Sequence, residues 1–222
     1  MPDSSHITAD ITSHITYLFD PLCGWCYAAA PGLRRLSELP GVTVTLAPTG
    51  LFAGQGARRT DAQFAAYAWS NDQRIQQLTG QPFSQRYRED VLGQHQAMFD
   101  SGPATLALTA VALTAPEREL EALQAFQQAR YVDGRDTSTV AVLAEILTSL
   151  GLGTAAARLT APDSALLAAM QTRVEKARAE MQAFGAQGVP TVIVSDAAGR
   201  HLLPSGALYG PADDLLAQLA GC

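Results

Sequence analysis

Residues 19–27, Phe19-Asp20-Pro21-Leu22-Cys23-Gly24-Trp25-Cys26-Tyr27, decide how the chain is read, because they set two thiols one helical turn apart directly behind a strand-like run. That run, Ile15-Thr16-Tyr17-Leu18-Phe19, is rich in β-branched and aromatic residues, which suit a pleated surface, and Pro21 ends it. After a turn, Leu22 to Leu39 reads as helix, placing Cys23 at or near the N-cap and Cys26 about one turn inside. Only a thiolate attacks a disulfide, and the free N–H groups and positive end of a helix N-terminus stabilise an anion. Cys23 is therefore the expected nucleophile. Cys26, tucked under the first turn, is expected to attack the mixed disulfide formed at Cys23 and release the substrate. The competing reading is a buried structural pair or half of a zinc site. Zinc normally takes four ligands, yet only Cys222 remains, and His6, His14, His95 and His201 are scattered singly. No metal site is expected.

Composition narrows the function classes. With 222 residues, 47% of them hydrophobic, the chain can bury a sizeable core without staples. Its net charge is −6, with only 15 Lys and Arg and no basic run, so the electrostatic footprint of a nucleic-acid binder is missing. Met1 to Ser13 is polar and lacks the apolar core of a secretory signal, and no run is long enough to span a bilayer. A cytoplasmic address and no membrane partner are expected. In that reducing compartment a Cys-x-x-Cys pair points to catalysis rather than to a structural bridge.

Outward from the cysteines, Pro40-Gly41 is a turn and Val42 to Ala47 alternates like a strand, giving β-α-β with two parallel strands. Pro31 inside the first helix is expected to kink it rather than break it. Residues 48–56 read as a glycine-rich connector, with Leu51 and Phe52 as candidates to line a site. From Thr60 to Gly153 the pattern reads as helical throughout. Its expected helices are Asp61 to Leu78, a weaker one from Pro82 to about Met98, one opened by Ser101-Gly102-Pro103, one behind Thr114-Ala115-Pro116, and one capped by Thr137 or Ser138. Asp163 or Ser164 caps the longest helix, whose apolar face is Leu166, Met170, Val174, Ala177, Met181 and Phe184. The two methionines read as core filler rather than a cofactor box. Gly188-Val189-Pro190 then leads into a strand, a hairpin and a short C-terminal helix. The chain divides into a flexible tail (1–13), a β-α-β part with its loop (14–59), a helical block (60–160) and a return to the sheet (161–222).

This order, β-α with Cys-x-x-Cys, β, helical block, long helix, Val-Pro, strand, hairpin and helix, resembles the DsbA family of the thioredoxin superfamily over nearly the whole chain. The Asp20-Pro21-x-Cys23-x-Trp25-Cys26 phrase is similar to a cytoplasmic predicted disulfide-isomerase and FrnE-like branch, whose frame 2-hydroxychromene-2-carboxylate isomerases and kappa-class glutathione transferases share. The resemblance implies an α/β thioredoxin-like fold with a large all-helical insertion. It further implies a cis Pro190 facing Cys23 and Cys26, and a Val189 backbone that bonds an extended substrate. One departure stands out: relatives commonly bury an acid six positions before the first cysteine, where this chain has Tyr17. Asp20 is a candidate replacement, although Asp before Pro is also turn chemistry. Gly24 and Trp25 are expected to tune the redox poise, Trp25 serving as a substrate lip or packing on the helical block.

The expected function is a thiol-disulfide oxidoreductase of disulfide isomerase or oxidase type, using Cys23-Gly24-Trp25-Cys26 on protein thiols and disulfides or on glutathione as an optional co-substrate, with no metal or organic cofactor. One alternative is a glutathione-dependent isomerase or transferase on the same frame. The other is a redox-inert binding domain.

Overall fold

The computed structural model describes residues 13–220; the expected tail up to residue 12, with His6, and Cys222 lie outside these residues. Ser13, read as the end of the tail, instead opens β1 (Ser13–Phe19), where its N–H donates to the Gly41 carbonyl at 3.1 Å. Next come α1 (Gly24–Ala28), α2 (Ala30–Ser37) and β2 (Val42–Pro48). β1 pairs with β2 in parallel, Ser13 opposite Val42 through Phe19 opposite Pro48, as the helical crossover requires. β5 (Thr191–Asp196) adds antiparallel to the other side of β1, and β6 (Gly199–Leu203) closes the hairpin, for a sheet order β2-β1-β5-β6. β1 is thus central and buried on both faces: Ile15, Tyr17 and Phe19 join the main core, while Leu18 packs with Ala177 and Ile193 on the opposite face.

Just before Pro31 the single helix expected from Leu22 to Leu39 divides into α1 and α2, which meet at a kink. Ala29, between α1 and α2, stays helical at φ −76°, ψ −11°, and accepts the Leu33 N–H at 2.9 Å. The Tyr27 carbonyl, which loses its helical donor to the proline ring, meets the Gln81 side-chain amide at 3.5 Å. A Cβ at Gly32 would overlap the Leu208 main chain, so the kinked helix rests directly on the turn after β6.

The block between β2 and β5 differs from a run of helices in one place. β3 (Arg58–Arg59) pairs antiparallel with β4 (Met98–Phe99), so the helix expected from Pro82 to Met98 shrinks to a π-helical turn at Tyr87–Leu92. The cause is tertiary: Thr60 N–H donates to Ala97 O and Gln96 N–H to Thr60 O, both at 2.9 Å, which draws this stretch out into extended pairing. The remaining elements are α3 (Ala62–Thr79), α4 (Gly102–Thr114), α5 (Glu119–Tyr131), α6 (Val140–Ser149) and α7 (Gly153–Thr160), the last unforeseen as a separate helix. α4 is buried nearly all round and is the axis of the block.

Caps follow the sequence only in part. Asp61 and Asp163 accept from Phe64 N–H and Leu166 N–H at 2.7 Å each. The N-cap of α6 is Thr139, not Thr137 or Ser138, because the Asp136 carboxylate takes the Ser138 N–H at 3.0 Å. α8 (Ser164–Ala183) returns the chain to the sheet with Leu166 and Ala177 buried and Met170, Val174 and Met181 half-buried, the expected stripe. Its Arg178 does more than solvate a face: Nε and Nη2 donate to the carbonyls of Thr49 and Gly50, each at 2.9 Å, and so pin the loop after β2. α9 (Ala212–Ala220) ends the described chain.

Candidate active site

At the end of β1 the chain turns back on Asp20. Cys23 N–H donates to the Asp20 carbonyl at 3.1 Å and Leu22 N–H to Asp20 Oδ1 at 2.9 Å, with Pro21 fixing the turn between them. Cys23 is the N-cap of α1, extended at φ −85°, ψ 120°, and its carbonyl accepts the Tyr27 N–H at 3.0 Å. This places Cys23 at the lip, 8% exposed, and Cys26 beneath it, 1% exposed. Both are free thiols within hydrogen-bonding reach of each other. The Cys23 thiol also donates to the carbonyl of Val189 at 3.6 Å, and the Val189–Pro190 peptide is cis. The turn before β5 therefore faces the N-terminus of α1.

Electrostatics act strongly on the lower sulfur. Burial pushes the Cys26 thiol well above its ordinary range, Cys23 pushes it further by a hydrogen bond and charge, and the Asp20 N–H donating to it works in the opposite direction. Tyr17, at the position where an acid was expected, is fully buried; its hydroxyl donates to the Cys26 carbonyl at 3.2 Å. Burial raises this phenol well above 10, so it acts as a hydrogen-bond donor and not as a base. Asp20 is a different matter. It is fully buried, its Oδ2 accepts from Phe52 N–H at 3.0 Å and Ser101 Oγ–H at 2.7 Å, and its charge is felt at Cys26. Burial raises its proton affinity while these donors lower it. Turn chemistry and a buried acid beside Cys26 are one and the same residue here. Ser101, expected near the start of its helix, is the N-cap of α4 by position, and its hydroxyl serves this carboxylate rather than the helix.

Above the pair opens a cavity of about 450 Å³ whose walls include Cys23, Gly24, Trp25 and Val189. Leu51 and Phe52 line it as well, so the stretch read mainly as a connector is a wall of the site. Trp25 is half-buried; its ring tilts against Tyr209 at 5.4 Å, so it packs on the C-terminal part rather than on the helical block alone. It also borders a second hollow, about 680 Å³, that shares Gly188 and Val189 with the first and continues to Pro190. Trp25 is thus a ridge between two hollows.

The helical block contributes residues that motif reading passed over. Tyr131 donates its hydroxyl to the Leu22 carbonyl at 2.7 Å, holding the turn before Cys23. Asp72, 5% exposed on α3, lies against Gly24: a Cβ there would come within 2.5 Å of Asp72 Oδ1. Its other oxygen accepts the Tyr87 hydroxyl at 2.9 Å, and burial lifts its pKa to about 7 despite Tyr87 and nearby Arg130. A sequence signal existed, because Asp72 falls on the same face as Phe64, Ala68 and Ile75, where a charge is out of place. Among the described residues no cluster of three or more His, Cys, Asp or Glu could hold a metal, and no helix is long and apolar enough to cross a membrane.

A four-stranded sheet with a cysteine pair at the β1–α1 junction and a cis-proline turn facing it defines a thioredoxin-type redox fold. Residues 14–210 match the model of the DSBA-like thioredoxin domain, and the chain belongs to that family of thiol-disulfide oxidoreductases. Among solved structures it is similar to the cytosolic disulfide reductase DsbM from Pseudomonas aeruginosa, with 32% identity, 94% of this chain and 100% of that chain covered, and a TM-score of 0.82. The same reductase with GSH gives 33% identity, coverage of 94% and 98%, and a TM-score of 0.81. A putative protein disulfide isomerase from Nitrosomonas europaea shares the fold at 24% identity, coverage of 95% and 96%, and a TM-score of 0.76. No curated protein matches the chain significantly.

Proposed function

We propose that the protein is a cytoplasmic thiol-disulfide oxidoreductase that works through Cys23 and Cys26 and runs toward disulfide reduction, with protein thiols or glutathione as partners. The observation that carries this reading is the Cys23 thiol, at the lip of the cavity, set against the Val189 carbonyl and one turn above a buried Cys26. Reductive direction, rather than the isomerase or oxidase direction expected from sequence, is supported by the likeness to a cytosolic disulfide reductase.

In the proposed cycle, the Cys23 thiolate attacks one sulfur of a substrate disulfide. A mixed disulfide forms and the first substrate thiolate leaves. Cys26 then passes its proton to the Asp20 carboxylate, and its thiolate attacks the Cys23 sulfur. The second substrate thiolate departs and is protonated by water, leaving a Cys23–Cys26 disulfide. Two glutathione thiols return the electrons: one opens the disulfide at Cys23, and the second attacks that adduct and leaves as glutathione disulfide. No metal or organic cofactor takes part. Trp25, Val189 and Pro190 shape the groove in which the substrate sulfur meets Cys23, and Gly24 keeps the turn between the cysteines clear.

The test is a stoichiometric reaction of reduced protein with glutathione disulfide, quenched by alkylation and weighed by mass spectrometry. The expected result is loss of two protein thiols for each disulfide consumed, with no glutathione retained. Protein thiols that stay reduced, or a glutathione adduct that persists as the end product, would overturn the proposal.

A further inference from the structure

The dithiol cycle uses Cys23, Cys26 and Asp20, and leaves a second buried carboxyl in the cavity without a task. Asp72 Oδ2 is held by the Tyr87 hydroxyl at 2.9 Å, and Oδ1 faces Gly24, the residue between nucleophile and ridge. No described residue donates a hydrogen bond to Oδ1. Arg130 does not neutralise it by direct contact: that guanidinium is stacked over the rings of Tyr87, Phe99 and Tyr131 and pairs with Asp136 at 3.4 Å. That oxygen belongs to a wall residue of the cavity and has no protein donor, so it is left to pair with whatever enters. Among the described residues Asp72 supplies the only carboxyl on the cavity wall, and the Arg58 guanidinium, over the Phe64 ring at 5.7 Å, supplies a cation on the same wall.

We propose that Asp72 is a specificity-determining residue whose Oδ1 receives the ammonium group of a small zwitterionic disulfide substrate, while Arg58 takes a carboxylate of the same molecule. The inference rests on the dithiol reading above. The substrate class is a thiol or disulfide whose ammonium lies several bonds from sulfur, as in a γ-glutamyl peptide. Such a cation meets Asp72 while the sulfur reaches Cys23, since both residues line one cavity of about 450 Å³. Burial that keeps Asp72 protonated to about pH 7 in the empty cavity is offset when an ammonium arrives, so binding draws the carboxyl into its charged form.

The experiment compares two disulfides with reduced wild-type protein in single-turnover mixing at pH 7.5: glutathione disulfide, and the disulfide of glutaryl-cysteinyl-glycine, which lacks only the amino groups. Because the amino group is remote from sulfur, the two leaving thiols have the same intrinsic reactivity. The proposal expects glutathione disulfide to saturate at a concentration at least tenfold lower, with similar limiting rates. It expects Asp72→Asn to reduce this preference to less than threefold, and Arg58→Gln to weaken both substrates alike. Equal saturation of the two disulfides by wild-type protein overturns the inference while leaving the redox reading intact. A preference that survives in Asp72→Asn also overturns it. Failure of both disulfides to oxidise the protein contradicts the underlying dithiol reading, and the inference with it. The wild-type comparison decides the matter even if the Asp72 variant does not fold.

Discussion

The Cys23 thiol donates to the main-chain carbonyl of Val189 at 3.6 Å, joining residues 166 positions apart in the chain. This contact sets the proposed nucleophile at the mouth of the cavity and leaves Cys26 one turn behind it, out of water.

Cys26→Ser should convert the protein into a trap. With Cys23 free to attack but nothing to resolve the product, mixed disulfides with substrate should accumulate at least tenfold over wild type, read by mass after an acid quench. Cys23→Ser should form none. Equal adduct yields from the two variants would reverse the assigned roles.

Asp20→Asn should slow resolution by at least tenfold, measured as decay of the glutathione adduct on Cys23. The amide has a single oxygen for the Leu22, Phe52 and Ser101 donors, so a stability loss of about 1–3 kcal/mol is expected as well. Ser101→Ala separates the two effects, because it removes one hydrogen bond but keeps the acid. That variant should lose stability and still resolve the adduct.

Gly24→Ala should cost about 1–3 kcal/mol in denaturant unfolding, since the new methyl would meet the Asp72 carboxyl and the Ile75 side chain at 3.1 Å. In an Asp72→Ala background that cost should shrink by more than half. An unchanged cost would mean that the two residues do not press on each other.

Asp72 also gives the fold a pH dependence whose sign is fixed. Its carboxyl is raised from an ordinary 3.8 to about 7, so between roughly pH 4 and pH 7 the native state holds a proton that the unfolded chain has released. Stability from this group therefore falls as pH rises through that window and is level above it, by a total on the order of 4 kcal/mol. Asp72→Asn should remove the slope: compared with wild type, its melting temperature should be higher at pH 8 than the difference at pH 4.5 accounts for. A difference between the two proteins that is constant across the window would contradict a proton held at Asp72.

How much of this was legible in the sequence depends on how local its cause is. The strand, turn and helix around Cys23 could be read because Pro21, the aromatic run before it and the Cys-x-x-Cys spacing act within a dozen residues. The parallel β1–β2 pair and the hairpin from Thr191 to Leu203 follow from similarly short-range patterns. Residues 82–99 could not be read that way. Their pairing with Arg58 and Arg59 and the π turn that carries Tyr87 to Asp72 are set by partners 15 to 41 positions away. Asp72 itself showed as a charge on an apolar helical stripe, but only the packing of α3 over α1 says that it faces Gly24. The same holds for Leu51 and Phe52, whose place in the wall depends on Arg178 gripping the Thr49 and Gly50 carbonyls.

The dithiol mechanism is tested by the equilibrium of the Cys23–Cys26 pair in graded glutathione buffers, followed by Trp25 fluorescence and by alkylation mass. One reversible two-electron transition is expected, at a potential well below the roughly −120 mV of a strong dithiol oxidant and toward the roughly −270 mV of a reductant. A pair that forms no intramolecular disulfide at any buffer ratio, with Cys26 alkylated only on unfolding, would contradict it.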